Sequence, residues 1–146
     1  MESLLSVKDL KKHFPVGGGL LGSGKQWVHA VDGISFDIRP GEVLSLVGES
    51  GCGKSTTGRL ILRLTEPTSG EVTFLGKNVL QVDRKQMKAL RREMQIIFQD
   101  PYASLNPRMT IGEIVEEPLK VHGIGSRQER REQVAQLLER VGLNPD

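Results

Sequence analysis

Residues Gly48-Glu49-Ser50-Gly51-Cys52-Gly53-Lys54-Ser55 fit the spacing G-x-x-x-x-G-K-[ST] in full, a pattern suited to holding a polyphosphate. Three glycines let the backbone wrap closely with its N–H groups turned inward, and a helix starting at the end of the loop adds positive partial charge. Lys54 would neutralise the β and γ phosphates of a nucleotide such as ATP. The Ser55 hydroxyl would take one position on Mg2+, and Thr56 is placed for the α phosphate. Cys52, inside the loop and beside a helix N-terminus, is open to oxidation or alkylation that would block binding; equally, it fills a tolerant position where only the backbone N–H counts.

Such a loop works only when a strand delivers it and a helix follows. The apolar run VLSLV (Val43–Val47) reads as that strand and STTGRLILRL as that helix. A near-copy, GLLGSGK over Gly19–Lys25, repeats the glycines and lysine but ends in Gln26, follows no apolar strand and leads into WVHAV. It is expected to be a surface loop.

Around the loop, the first half of the chain reads as strands and turns. Ser3–Leu10 and Val28–Ile38 alternate apolar and polar residues, with Gly33 as a candidate bulge; Arg39-Pro40-Gly41-Glu42 is a turn, and Glu71–Leu75 a further strand. Asp83–Glu93 reads as an exposed basic helix, followed by the apolar run Met94–Phe98. Thr110…Glu113 and Ser126…Glu129 have capping-box spacing. Behind the second, Val134, Leu137, Leu138 and Val141 recur at helical period before a C-terminal Gly142.

Bulk composition narrows the classes. The 20 Lys and Arg against 18 Asp and Glu leave a net charge of +2, too even to suggest nucleic acid as partner. No apolar run approaches the roughly 20 residues of a membrane span. The one cysteine cannot form an internal disulfide, which suits a reducing cytosol. A GTPase would need an N/T-K-x-D guanine-reading motif, and these 146 residues contain none.

Two longer strings carry a resemblance. AVDGISFDIRPGEVLSLVGESGCGKSTTGRLILRLTEPTSGEVTFLGKNV looks like the first half of an ABC-transporter ATPase, and MQIIFQDPYASLNPRMTIGEIVEEPL is similar to its Q-loop region. FQDPYASLNPRMT, together with the Gly-rich insertion, resembles the dipeptide/oligopeptide importer subfamily. The resemblance implies an α/β fold of P-loop NTPase type: N-terminal antiparallel β strands, a P-loop strand–helix core and the start of a helical subdomain. The division it implies is a core over 1–104, with an insertion at 16–27, and the helical subdomain over 105–146.

On the same resemblance, Phe14 is the aromatic that stacks on adenine, with His13 and Trp27 as neighbouring alternatives. Gln99 is the Q-loop glutamine that joins the Mg2+ and water shell to the helical subdomain. Without it, IIFQD reads as a Walker B strand delivering Asp100 to the metal, but the polar Gln99 interrupts the strand and Pro101 ends it. Asp37 and Asp83 fail in the same way, interrupted by Ser35 and Gln81.

The implied partners are transmembrane permease subunits, a second ATP-binding subunit arranged head to tail, and indirectly a peptide-binding protein. The implied place is the cytoplasmic face of the membrane, reached through those partners. An LSGGQ signature, a Walker B Asp-Glu, a D-loop and a switch histidine are not among these residues; His13, His29 and His122 all precede the point where the signature is expected. The reading is therefore of an N-terminal part that binds Mg-ATP and does not hydrolyse it alone, with a sheet edge left open and a marginal fold.

Overall fold

A computed structural model of the chain describes residues 3–16, 26–100, 102 and 104–144. Of the insertion expected over 16–27, residues 17–25, and with them the second glycine–lysine string, lie outside the described residues, while Val16, Gln26 and Trp27 belong to strands. The chain divides into two units, residues 1–94 and 95–146.

In the first unit, β1 (Leu5–Val16) and β2 (Gln26–Ile38) form a long antiparallel ribbon. The strand β3 (Ser69–Phe74) pairs with the other edge of β1, and the short β4 (Lys77–Asn78) with β3, giving the order β2-β1-β3-β4. The helix α1 (Lys54–Ile61) and the helix α2 (Arg84–Leu90) complete this unit. Its core gathers Leu5, Val7, Leu10, Val31, Val72 and Phe74 from the strands, Leu60 from α1 and Met87 and Leu90 from α2. Alternation places Leu5 and Val7 inward, an irregularity between Val7 and Leu10, where Asp9 takes φ 45°, returns Leu10 to the same side, and Met87 and Leu90 lie about one turn apart on α2. The basic helix expected over 83–93 forms only as far as Leu90, capped by Asp83, whose carboxylate accepts from the Gln86 amide at 2.8 Å.

The ribbon is not regular. Leu10 pairs with Ile34 but Lys11 with Asp32, so Gly33 is the extra residue of a bulge, as its sequence position suggested, and it takes φ 76°. A second extra residue, Ala30, falls where Lys12 pairs with Val31 and His13 with His29.

VLSLV departs from expectation. Residues 43–50 carry no strand hydrogen bonding, and Val43 and Val47 are 90% and 88% exposed. A parallel strand at the centre of a sheet takes its backbone partners from both sides. Among the described residues no strand stands beside this one, and it remains unpaired and exposed. The apolar run Met94–Phe98 likewise forms no strand, and Ile97 is almost wholly exposed.

The second unit contains α3 (Ile111–His122) and α4 (Arg127–Arg140). Both capping boxes form as their spacing predicts: Thr110 and Ser126 each accept from the amide three residues on, at 3.3 Å, and Glu113 and Glu129 reach back to the cap amides at 2.8 and 2.6 Å. Gly142 closes α4 in the left-handed region with φ 77°; its N–H donates to Glu139 and that of Leu143 to Leu138. Of the expected stripe on α4, Val134 and Leu138 are buried, whereas Leu137 and Val141 are exposed.

An ion pair ties the two helices. Glu116 of α3 accepts from Arg130 of α4 at 3.0 Å and from Lys120 at 3.1 Å. Arg130, then Lys120, hold the Glu116 carboxyl below its ordinary value, and the backbone amides of Thr110 and Ser126 do the same for Glu113 and Glu129. A carboxylate whose folded pKa is depressed stabilises the fold above its unfolded value, and loses that contribution as pH falls through the folded value. Helical circular dichroism is therefore expected to hold above pH 4.5, the ordinary value of all three, and to decline below it. A variant with glutamine at 113, 116 and 129 should show a flatter acid limb.

Candidate functional site

The glycine loop lies between VLSLV and α1. Gly51 and Gly53 take φ 84° and 94°, a region costly to any residue with a Cβ, and Cys52 N–H donates to Glu49 O at 3.3 Å. These turns gather the lysine to the loop. Lys54 Nζ donates to the carbonyls of Gly48 at 2.7 Å and Glu49 at 2.6 Å, and lies 3.5 Å from Cys52 Sγ.

Gly53 is the N-cap of α1 and supplies no side-chain cap, and the first turn of the helix carries no acidic residue. The first amides of α1 thus keep their positive end for an external anion. Ser55 is exposed and Thr56 half-buried at this end, while the next residue, Thr57, is buried and donates its hydroxyl to Gly53 O at 3.0 Å. Ser50, Gly51 and Cys52 are exposed on the loop. An ammonium, glycine amides and a free helix N-terminus in one loop fit a polyphosphate.

The loop is seated on β2. A Cβ built on Gly53 would stand 2.1 Å from the carbonyl oxygen of Ala30, and one on Gly48 would stand 2.6 Å from Cys52 Sγ. Nothing in the sequence announces the first contact: Ala30 is the extra residue of the second bulge, and its carbonyl oxygen faces Gly53.

The remaining candidates stand on other segments of the chain. Phe14 is 40% exposed on β1, with Lys12 Nζ 4.9 Å from its ring centre. Trp27 is half exposed opposite Pro15. His13 is stacked on His29 with ring centres 3.9 Å apart, an arrangement that occupies one face of its ring. Gln99 is exposed in the segment that opens the second unit. Its neighbour Asp100 is engaged in a local turn: Oδ1 accepts from the Tyr102 amide at 3.0 Å, and its carbonyl accepts from the Ser104 hydroxyl at 2.8 Å. No helix of the described residues is long and apolar enough to cross a membrane.

Residues 31–146 match the family described as ABC transporter. The chain is 53% identical, over 145 residues, to the glutathione import ATP-binding protein GsiA of Pectobacterium atrosepticum. It is also 53% identical over the same length to GsiA of Escherichia coli K12. Each alignment takes in 99% of this chain and 23% of the relative, so the chain spans about a quarter of the length of these relatives.

Among solved structures it is similar to the ATP-binding cassette MJ0796, dimeric in a post-hydrolysis state with ADP and phosphate bound. The TM-score is 0.72 and the identity 30%, covering 92% of this chain and 56% of that one. It is also similar to cbiO1 from Clostridium perfringens, part of the ABC transporter complex cbiONQ, with TM-score 0.65 and identity 28%, covering 98% of this chain and 52% of that one.

Proposed function

The chain belongs to the ABC transporter family of ATP-binding cassettes, and from that premise we propose that it is the nucleotide-binding part of an energy-coupling ATPase serving an importer of dipeptides or oligopeptides. One observation carries the nucleotide half of this reading: Lys54 Nζ is gathered onto the Gly48 and Glu49 carbonyls of a glycine loop that ends at an uncapped helix N-terminus. An incoming phosphate would draw that ammonium off two neutral carbonyls and onto full negative charge, the stronger partner.

The transport half rests on similarity. The relatives aligned over nearly the whole chain are named for import of glutathione, itself a small peptide, and FQDPYASLNPRMT carries the peptide-importer likeness. In this reading Gly48, Glu49, Ser50, Gly51, Cys52, Gly53 and Lys54 enclose the phosphates, with Thr56 on the α phosphate. Phe14 stacks on adenine, and Ser55 and Gln99 serve the Mg2+ shell. The core runs over 1–104 and the helical subdomain over 105–146, and binding closes two such subunits head to tail beneath paired permease subunits at the cytoplasmic face of the membrane.

A second reading has its own support. The signature, Walker B carboxylates and switch histidine that would press on ATP and orient the attacking water are not among these residues. On that reading the 146 residues bind nucleotide and dock on a permease or on a complete subunit without turnover.

Calorimetry with Mg-ATP, paired with a phosphate-release assay, tests both. A saturable one-site isotherm weakened by omitting magnesium is the expected result, with no phosphate released by this chain alone. Phosphate release in proportion to protein would remove the second reading, and a flat isotherm from folded protein would remove both.

A further inference from the structure

We propose that His13, His29 and Asp32 form a binding site for a divalent transition-metal ion of the zinc class, outside the nucleotide loop and independent of the nucleotide reading. His13 Nε2 lies 3.3 Å from Asp32 Oδ1, and His29 Nδ1 lies 3.4 Å from Asp32 Oδ2. One atom from each of the three residues falls within 4.8 Å of the others.

Those separations are informative. N–H···O hydrogen bonds centre near 2.9 Å, so these contacts are long for that purpose. Two ligands bound at about 2.0–2.1 Å to a tetrahedral zinc ion stand roughly 3.3–3.4 Å apart, the spacing that each imidazole has from its own oxygen of Asp32, Oδ1 for His13 and Oδ2 for His29.

The fold builds this grouping by a device that alternation alone would forbid. In a regular strand, residues i and i+3 point to opposite faces, so His29 and Asp32 should part. The extra residue Ala30 resets the alternation between them and returns Asp32 to the face of His29. His13 is the direct cross-strand partner of His29, and its backbone N–H is pinned to Thr68 Oγ1 at 2.9 Å. Two imidazoles with one carboxylate favour Zn2+, Co2+, Ni2+ or Cu2+ over Mg2+ and Ca2+, which prefer all-oxygen shells. The two rings are stacked with their planes 19° apart, so both must turn about χ2 to aim their lone pairs at a shared ion, and water completes the coordination. The site is half open to solvent, with side-chain exposures of 21% for His13 and 58% for Asp32, so an ion has a path in.

The experiment uses the tag-free 146-residue chain, stripped with chelator and titrated with Co2+ while its visible absorption is recorded, then with Zn2+ alone by calorimetry. One ion per chain is expected, with the d–d bands of a nitrogen and oxygen shell and without the intense thiolate band that Cys52 coordination would add. His29→Ala and the near-isosteric Asp32→Asn should each weaken Zn2+ binding at least about tenfold with circular dichroism unchanged, whereas His122→Ala should leave it intact. Absence of stoichiometric binding overturns the proposal. So does a thiolate band, or affinity unchanged in both His29→Ala and Asp32→Asn.

Discussion

Replacing Lys54 with alanine is expected to lower the affinity of the chain for Mg-ATP by at least about a hundredfold while leaving its far-UV circular dichroism unchanged. The lysine holds no structural ion pair: its ammonium donates to two carbonyls of its own loop, at 2.7 and 2.6 Å. Those carbonyls belong to exposed residues and regain water when the ammonium is removed. What is lost is the single full positive charge of the loop. Charge-assisted hydrogen bonds contribute about 1.5–3 kcal/mol each, and two of them to β and γ oxygens exceed the roughly 2.7 kcal/mol that a hundredfold change requires. Calorimetric titration of the wild-type and Lys54→Ala chains under one buffer and salt condition measures this. Equal affinities would mean that the glycine loop is not the seat of the nucleotide, and the reading of the protein as an ATP-binding cassette in working form would lose its physical basis.

The parts of the molecule that depend on neighbours in sequence are legible in the sequence itself. Capping boxes are local: Thr110 with Glu113 and Ser126 with Glu129 close within one turn, so spacing alone determines them. The bulge at Gly33 and the αL glycine after α4 follow from a single residue's conformational freedom. Longer-range properties behaved differently. VLSLV has the composition of a buried strand, but strand formation is a relation between two segments, and no partner segment stands beside it among the described residues. Leu137 and Val141 show the same limit on α4, since a helical stripe says which residues can be covered and not what covers them.

The grouping of His13, His29 and Asp32 was hidden for a different reason. A histidine and an aspartate three apart in a strand read as facing opposite ways, and only the irregular register at Ala30 brings them together. No residue type at position 30 signals that irregularity. Gly33 shows the contrast, being a bulge whose positive φ its own side chain permits.

Gly53→Ala is expected to destabilise the first unit by about 2–5 kcal/mol, and the comparison that isolates the cause is Gly51→Ala. Both glycines take positive φ, 94° and 84°, so both substitutions carry the left-handed strain of about 1–2 kcal/mol. They differ in what the new methyl group meets. At Gly51 nothing lies within 4 Å, whereas at Gly53 the Cβ falls 2.1 Å from Ala30 O and 3.4 Å from Val31 Cγ2. The first of these is a backbone atom in the ribbon, which no rotamer change can move aside. Relief requires α1 to lift from β2, and α1 carries Leu60, wholly buried in the core, and Thr57, 4% exposed. Forcing such a gap adds an overpacking penalty of about 1–3 kcal/mol. Urea denaturation of the three chains reads the difference, with the midpoint of Gly53→Ala falling well below that of Gly51→Ala and the slope unchanged. Matching midpoints for the two variants would show that the loop does not rest on the Ala30 carbonyl. With the expected ordering, the same displacement should also weaken Mg-ATP binding in Gly53→Ala, because the amides that start α1 shift with the helix they belong to.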